Sequence, residues 1–115
     1  MQLMTLEVAR NFTKVPNEVL EILSGSDMPK NHNRLLMFLI RHLYGYRTAK
    51  NSFTAFYIVQ KTVLPLEELD WILKGLGETG AIKYEVIKND PLNKGYLIAI
   101  NTNYNEWLLE NLQNY

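Results

Sequence analysis

The chain has no cysteine among its 115 residues. That excludes a disulfide frame, a thiolate nucleophile and any zinc site built on sulfur, and it suits a reducing compartment. Net charge is missing too. Twelve basic side chains cancel twelve acidic ones, so the domain lacks the accumulated positive charge that commonly grips phosphates. Its longest apolar run, residues 35–40, falls far short of the roughly 20 residues needed to span a bilayer. Residues 1–10 lack the basic-then-apolar layout of a signal peptide. The expectation is a cytoplasmic protein with no membrane partner. Six glycines and four prolines are scattered without clustering into a linker, and no repeat or low-complexity tract is visible.

What is present is ordinary for a globular domain: 47% hydrophobic and 21% charged residues, enough to bury one core and short for two. Residues 1–115 therefore read as a single domain. The charges are not evenly spread. Residues 28–66 hold the cations Lys30, Arg34, Arg41, Arg47, Lys50 and Lys61 and no acid, whereas residues 67–78 hold Glu67, Glu68, Asp70 and Glu78 against Lys74 alone. The surface is expected to be bipolar.

Periodicity supplies the elements. Val15-Pro16 opens a first helix, because a proline at a helix start loses no hydrogen bond, and Val19, Leu20 and Leu23 share one face. A second begins near Asn31, carries Leu36, Leu39, Ile40 and Leu43 inward, and stops at Gly45. Residues 52–54 suit a short strand, and residues 55–61 a helix packing Phe56, Ile58 and Val59. After the turn Val63-Leu64-Pro65, residues 66–78 form a helix with Leu69, Ile72, Leu73 and Leu76 inward and Gly80 as its exit. The pair, about residues 55–78, makes a helix-turn-helix.

A wing over about residues 81–101 follows, in which Ile82, Tyr84 and Val86, then Leu97, Ala99 and Asn101, alternate as strands do. Residues 89–95 between them are rich in turn formers. Asn103 with Glu106 three residues on suggests a capping box for a last helix at about 103–114, its stripe formed by Tyr104, Trp107, Leu108 and Leu112, with Trp107 and Leu108 burying together. The fold class is mainly α with a small β-hairpin (α+β), a winged helix-turn-helix, in which Leu36, Ile40, Leu69, Leu73 and Ile82 are buried together.

Three segments carry a family likeness: residues 12–20, FTKVPNEVL; residues 40–46, IRHLYGY; and residues 100–107, INTNYNEW. The last is specific, since a wing does not by itself require Asn, Tyr and Trp at that spacing. On these segments the chain resembles the N-terminal winged-helix domain of the lambda-type phage replication protein O family. The resemblance implies a domain that binds repeats of a phage origin in a bacterial host. In that family a separate C-terminal region recruits the host helicase machinery. These residues lack that region, so the chain is either an excised domain or a protein made of the domain alone.

One departure stands out. The resemblance implies Ser, Arg and Thr along the exposed face of the second helix of the motif, where such side chains reach bases and phosphates. Here that face reads Leu66, Glu67, Glu68, Asp70, Trp71, Lys74 and Gly75. Three carboxylates beside a phosphate backbone are repelled. Duplex-DNA contacts would then fall to Lys30, Arg34, Lys50, Lys61, Lys74, Lys88, Asn93 and Lys94, although scattered cations are more often a solubilising face. The alternative is a protein-binding winged helix, a dimerisation module or a small phage-encoded inhibitor or adaptor, using Leu66, Glu67, Asp70 and Trp71, since aromatic residues anchor interfaces. Against that, Trp71 could turn inward under the wing and the acids merely favour a helix start.

Other chemistry is thin. His32 and His42 have no partners at ligand spacing, so no metal is expected. Tyr44, Tyr46, Phe53, Phe56 and Tyr57 could stack on bases, yet their spacing assigns most of them to the core. Gly75, Gly77 and Gly80 follow no strand and make no phosphate loop. No enzyme activity, cofactor or small-molecule substrate is expected.

Overall fold

The computed structural model describes residues 12–90 and 93–112. Residues 1–11, on which the signal-peptide reading falls, Pro91 and Leu92 of the turn, and the end of the expected last helix lie outside these. Helix α1, Asn17–Ser24, starts after Pro16, whose carbonyl accepts from the Val19 and Leu20 amides. Val19 is buried, but Leu20 faces solvent: the buried stripe runs through Val19, Ile22 and Leu23, and Leu20 lies beside it. Helix α2, Lys30–Tyr44, follows a second proline, Pro29. It buries Leu35, Leu36, Phe38, Leu39, Ile40 and Leu43, and Gly45 ends it as expected.

Strand β1, Lys50–Thr54, leads directly into α3, Ala55–Thr62. The join is a cap: Thr54 Oγ1 accepts the Tyr57 amide at 3.1 Å, satisfying a donor the helix start would leave open. On α3, Ile58 is buried and Val59 packs partly inside. Phe56 does not. It projects outward, because Ala55, Ile58 and Thr62 define the inner stripe and Phe56 lies about a quarter turn away.

The expected continuous helix over residues 66–78 is divided. A 3-10 turn, Leu66–Glu68, precedes helix α4, Leu69–Glu78, and Glu68 N–H bonds the Pro65 carbonyl at 3.2 Å. Leu69, Ile72, Leu73 and Leu76 face inward as the spacing requires. Gly75 is not on the open face. It is buried against α2, where a Cβ would lie 2.6 Å from His32 Nε2, so the helices approach closely only because the side chain is absent.

Strands β2, Ile82–Lys88, and β3, Gly95–Ile100, form the antiparallel hairpin, and β1 pairs with the other edge of β3 to give the order β1-β3-β2. The hairpin is therefore one part of a three-stranded sheet. The phase of β3 is the reverse of the expected one. Tyr96, Ile98 and Ile100 point into the core, while Leu97 and Ala99 lie on the outer face and Val86 is exposed. The expected set Leu36, Ile40, Leu69, Leu73 and Ile82 does share the core with them.

After β3 no α-helix forms among the described residues; two 3-10 turns, Tyr104–Glu106 and Leu109–Leu112, replace the expected one. Asn103 makes no side-chain cap. Asn101 organises the segment instead: its amide nitrogen donates to Gly80 O and Glu106 Oε1, both at 2.9 Å, and its carbonyl accepts from Trp107 Nε1 at 2.8 Å. With Glu106 drawn back, the chain runs extended at Trp107. Trp107, Leu109 and Leu112 are buried, whereas Leu108 faces out because its amide is tied to Thr79 O at 2.7 Å. Gly80 makes this docking possible. Its φ is +80°, and a Cβ there would sit 2.6 Å from Glu106 O.

Candidate nucleic-acid interface

Helices α3 and α4, joined through residues 63–68, meet Lys94 and the start of β3 at one end of the pair. They are locked by a contact that spacing does not show. Asp70, on the first turn of α4, accepts from Lys94 Nζ at 2.7 Å and from the Tyr96 hydroxyl at 2.5 Å. Burial works against the charged carboxylate, yet the bonds from Lys94 and Tyr96 and the charge of Lys94 prevail and hold its pKa below the usual carboxylate value. Tyr96 moves the other way: burial and its bond to Asp70 push its hydroxyl up. The backbone adds a second tie, Ala55 N–H to Lys94 O at 2.8 Å, so the loop end of the hairpin is fixed to both helices of the pair.

The open face of α4 is consequently less acidic than its residues suggest. Asp70 is paired with Lys94 although its side chain stays exposed, and Glu68 is partly covered, which leaves Glu67, Lys74 and Glu78 as its other exposed charges. Leu66 and Trp71 stand 44% and 45% exposed. Trp71 does not turn under the hairpin. Its ring meets the edge of the His32 ring on α2, centroids 5.2 Å apart at 71°.

The eight polar candidates do not form one patch. Lys88 and Asn93 flank the hairpin loop, and Lys94 is there too but committed to Asp70. Lys74 projects from α4. Lys30 starts α2 one turn before Arg34 on the same helix face, and Arg34 Nη1 reaches the Thr62 carbonyl at 3.4 Å, just before the turn of the pair. Lys50 is elsewhere. It pairs with Ala99, at the opposite end of β3 from the loop, and Lys83 pairs with Ala99 from the other side, putting both lysines on the outer sheet face around a depression of about 380 Å³. Lys61 lies over the Tyr57 ring, 5.8 Å from its centroid, on the far side of α3.

The assignment of most of the tyrosine and phenylalanine cluster to the core needs correction. Phe53 is buried and Tyr44 half-buried, but Tyr46, Phe56 and Tyr57 are exposed, Tyr46 at 65%. The histidines are both structural: His32 is buried between Gly75 and Trp71, and burial lowers its pKa, while His42 bonds the Phe38 carbonyl and the Tyr57 hydroxyl. Among the described residues no three His, Cys, Asp or Glu side chains are grouped as a metal would need, and no helix is long and apolar enough to cross a membrane.

A family model described as bacteriophage replication protein O matches residues 5–107. No curated protein and no solved structure matches the chain.

Proposed function

The chain belongs to the bacteriophage replication protein O family, and from that membership we propose that it is the winged-helix, duplex-DNA-binding domain of a phage replication initiator acting in the host cytoplasm. The family match across residues 5–107 carries the reading. The geometry supports it: a helix pair locked to a hairpin is the arrangement with which winged helices meet DNA. Phosphate contacts fall to Lys74, Lys88 and Asn93 at the hairpin end, with Lys30 and Arg34 beside the end of α3. Lys50 and Lys61 lie too far round the domain to share them. Pairing of Asp70 with Lys94 offsets the charge of one carboxylate on the face that DNA would approach. It offsets one cation as well.

Binding of this kind is driven by counterion release, so affinity should be modest and fall steeply with salt, and an α4 face with few base-reading groups should discriminate sequences poorly. The measurement is a duplex titration at about 50 and 200 mM salt, on wild type and on Lys74→Ala with Lys88→Ala. Each phosphate contact contributes roughly 0.9 to the log–log slope, so the double variant should lose roughly 1.8 of it. Absence of binding at the lower salt sinks the reading.

The half-exposed Leu66 and Trp71 favour a second reading, in which the same end of the domain contacts a protein, a second copy or an adaptor's target. A Trp71→Ala variant that lost self-association or a partner but kept its DNA affinity would select it. No catalytic step, cofactor or small substrate is proposed.

A further inference from the structure

On the side of α3 away from its contact with the loop end of the hairpin, the end of α2, the start of α3 and strand β1 border a depression of about 360 Å³. Its aromatic wall is His42, Tyr46 and Tyr57, with Phe53 at its base. The rings are held in place. His42 stacks on Phe38 at 4.1 Å and 27°, and its Nδ1 lies 3.0 Å from the Phe38 carbonyl. A carbonyl only accepts, so Nδ1 carries the proton and, in the neutral ring, Nε2 accepts from the Tyr57 hydroxyl at 3.1 Å. Tyr57 stands nearly perpendicular to His42, 5.7 Å away at 83°.

Two cations sit over these rings. The Arg41 guanidinium carbon is 5.8 Å from the centroid of Tyr46, and Lys61 Nζ is 5.8 Å from that of Tyr57. None of the lining residues is acidic, and the whole segment 28–66 contains no carboxylate. The remaining wall is polar: Asn51, Ser52 and Thr54 of β1. β1 is an edge strand. Ile100 N–H bonds the Ala49 carbonyl and Ala55 N–H bonds the Lys94 carbonyl, so the odd-numbered residues face β3 and the alternation turns the peptide groups of Ser52 and Thr54 to the open edge, where the Ser52 amide is bonded to Asn51 Oδ1 at 2.8 Å.

From this juxtaposition we propose that the pocket is a binding site for an unpaired nucleobase of single-stranded DNA. The base stacks on the Tyr46 ring, its edge meets the polar groups of β1, and its flanking phosphates lie between Arg41 and Lys61. Aromatic platforms combined with cations and free of acids suit single strands, because every base offers a π face while every linkage carries a negative charge. Duplex DNA keeps its bases stacked and cannot use the platform. The site is therefore separate from the α4 and hairpin surface and does not rest on the duplex reading.

The test titrates the full chain with a labelled single strand of about 15 nucleotides and with the duplex of the same sequence, at about 50 mM salt. Tyr46→Ala should weaken single-strand binding by roughly tenfold or more, Tyr46→Phe should retain it, and Arg41→Gln should reduce both the affinity and its salt dependence. Duplex affinity and melting temperature should stay unchanged, since Tyr46 is mostly solvent-exposed. A wild type that binds duplex but no single strand overturns this site and leaves the duplex reading intact; single-strand binding that depends on Tyr46 without duplex binding does the reverse. Equal single-strand affinity in wild type, Tyr46→Ala and Arg41→Gln also overturns it, as does a Tyr46→Ala variant that loses only self-association in sedimentation, which would make the patch a protein contact.

Discussion

Val63 ends α3 with φ +57°, a left-handed backbone that costs a β-branched residue about 1–2 kcal/mol. It is 79% exposed, so little burial offsets that cost. Glycine would remove the strain but free the unfolded chain, returning roughly 0.5–1 kcal/mol of it. Val63→Gly should therefore stabilise the domain by about 0.5–1 kcal/mol, read from denaturant unfolding. A destabilised variant would mean that the valine side chain makes a contact worth more than its strain. His32 gives the residue scale a pH dependence. Burial lowers its pKa from the ordinary 6.5, so the folded state holds it neutral where the unfolded chain takes up a proton. Its contribution is fully present above the unfolded value and is lost as pH falls from there towards the folded one. Melting temperature should drop between about pH 7 and pH 5. His32→Phe, which keeps a ring against Trp71 and does not titrate, should flatten that slope; identical slopes would mean that the folded protein protonates His32 as readily as the unfolded chain.

At the scale of elements, the segment after β3 is held by burial and by one asparagine rather than by helix formation. Trp107 is buried, its Nε1 donates to the Asn101 carbonyl, and its ring meets Tyr104 at 5.5 Å and 79°. The Tyr104 hydroxyl in turn bonds that of Tyr44 on α2 at 2.6 Å, and burial with this bond pushes the Tyr44 hydroxyl up. Trp107→Ala should cost about 3–5 kcal/mol, and truncation after Asn101 should lower the melting temperature markedly, since Leu112 packs on α4 beside Gly75 and the Leu108 amide bonds Thr79 O. A loss under about 1 kcal/mol would detach this segment from the core. The capping-box spacing of Asn103 and Glu106 is visible in the sequence, but the Asn101 amide captures Glu106 first, and that competition depends on Gly80, 21 residues away. The helices were legible because their apolar residues recur at a spacing only one face satisfies. Strand β3 was not, since Tyr96, Leu97, Ile98, Ala99 and Ile100 are apolar throughout and offer no alternation to read. Pairing on both edges decides its phase. The site was least legible of all: the Asp70–Lys94 contact spans 24 residues, and the pocket at Tyr46 gathers side chains from α2, α3 and β1.

On the scale of the whole molecule, a neutral chain can still approach a polyanion if its charges are separated, and here they are partly separated. Arg41 and Lys61 lie over the rings that line the pocket at Tyr46, Lys88 lies at the hairpin, and Glu67, Glu68 and Asp70 precede and begin α4. Only some of those acids remain as free charge on the surface that would face DNA. Asp70 is exposed but paired with Lys94, Glu68 is partly covered, and Glu67 is exposed beside Leu66. Glu67 is therefore the carboxylate whose repulsion a phosphate backbone would feel, screened over about 10 Å at 0.1 M salt. Its presence also favours the start of the helix through the macrodipole, by about 0.3–1 kcal/mol. The two effects predict opposite signs for one substitution. Glu67→Gln should lower stability slightly and raise duplex affinity, the gain being larger at low salt than at high. Asp70→Asn should not imitate it, because weakening the tie to Lys94 and Tyr96 loosens the hairpin from α4 and offsets the charge removed. Duplex titration of both variants at about 50 and 200 mM salt, beside their melting curves, separates the two effects. A Glu67→Gln variant with unaltered DNA affinity at low salt would take the N-terminal end of α4 out of the DNA interface and leave it to the protein contact that Leu66 and Trp71 suit.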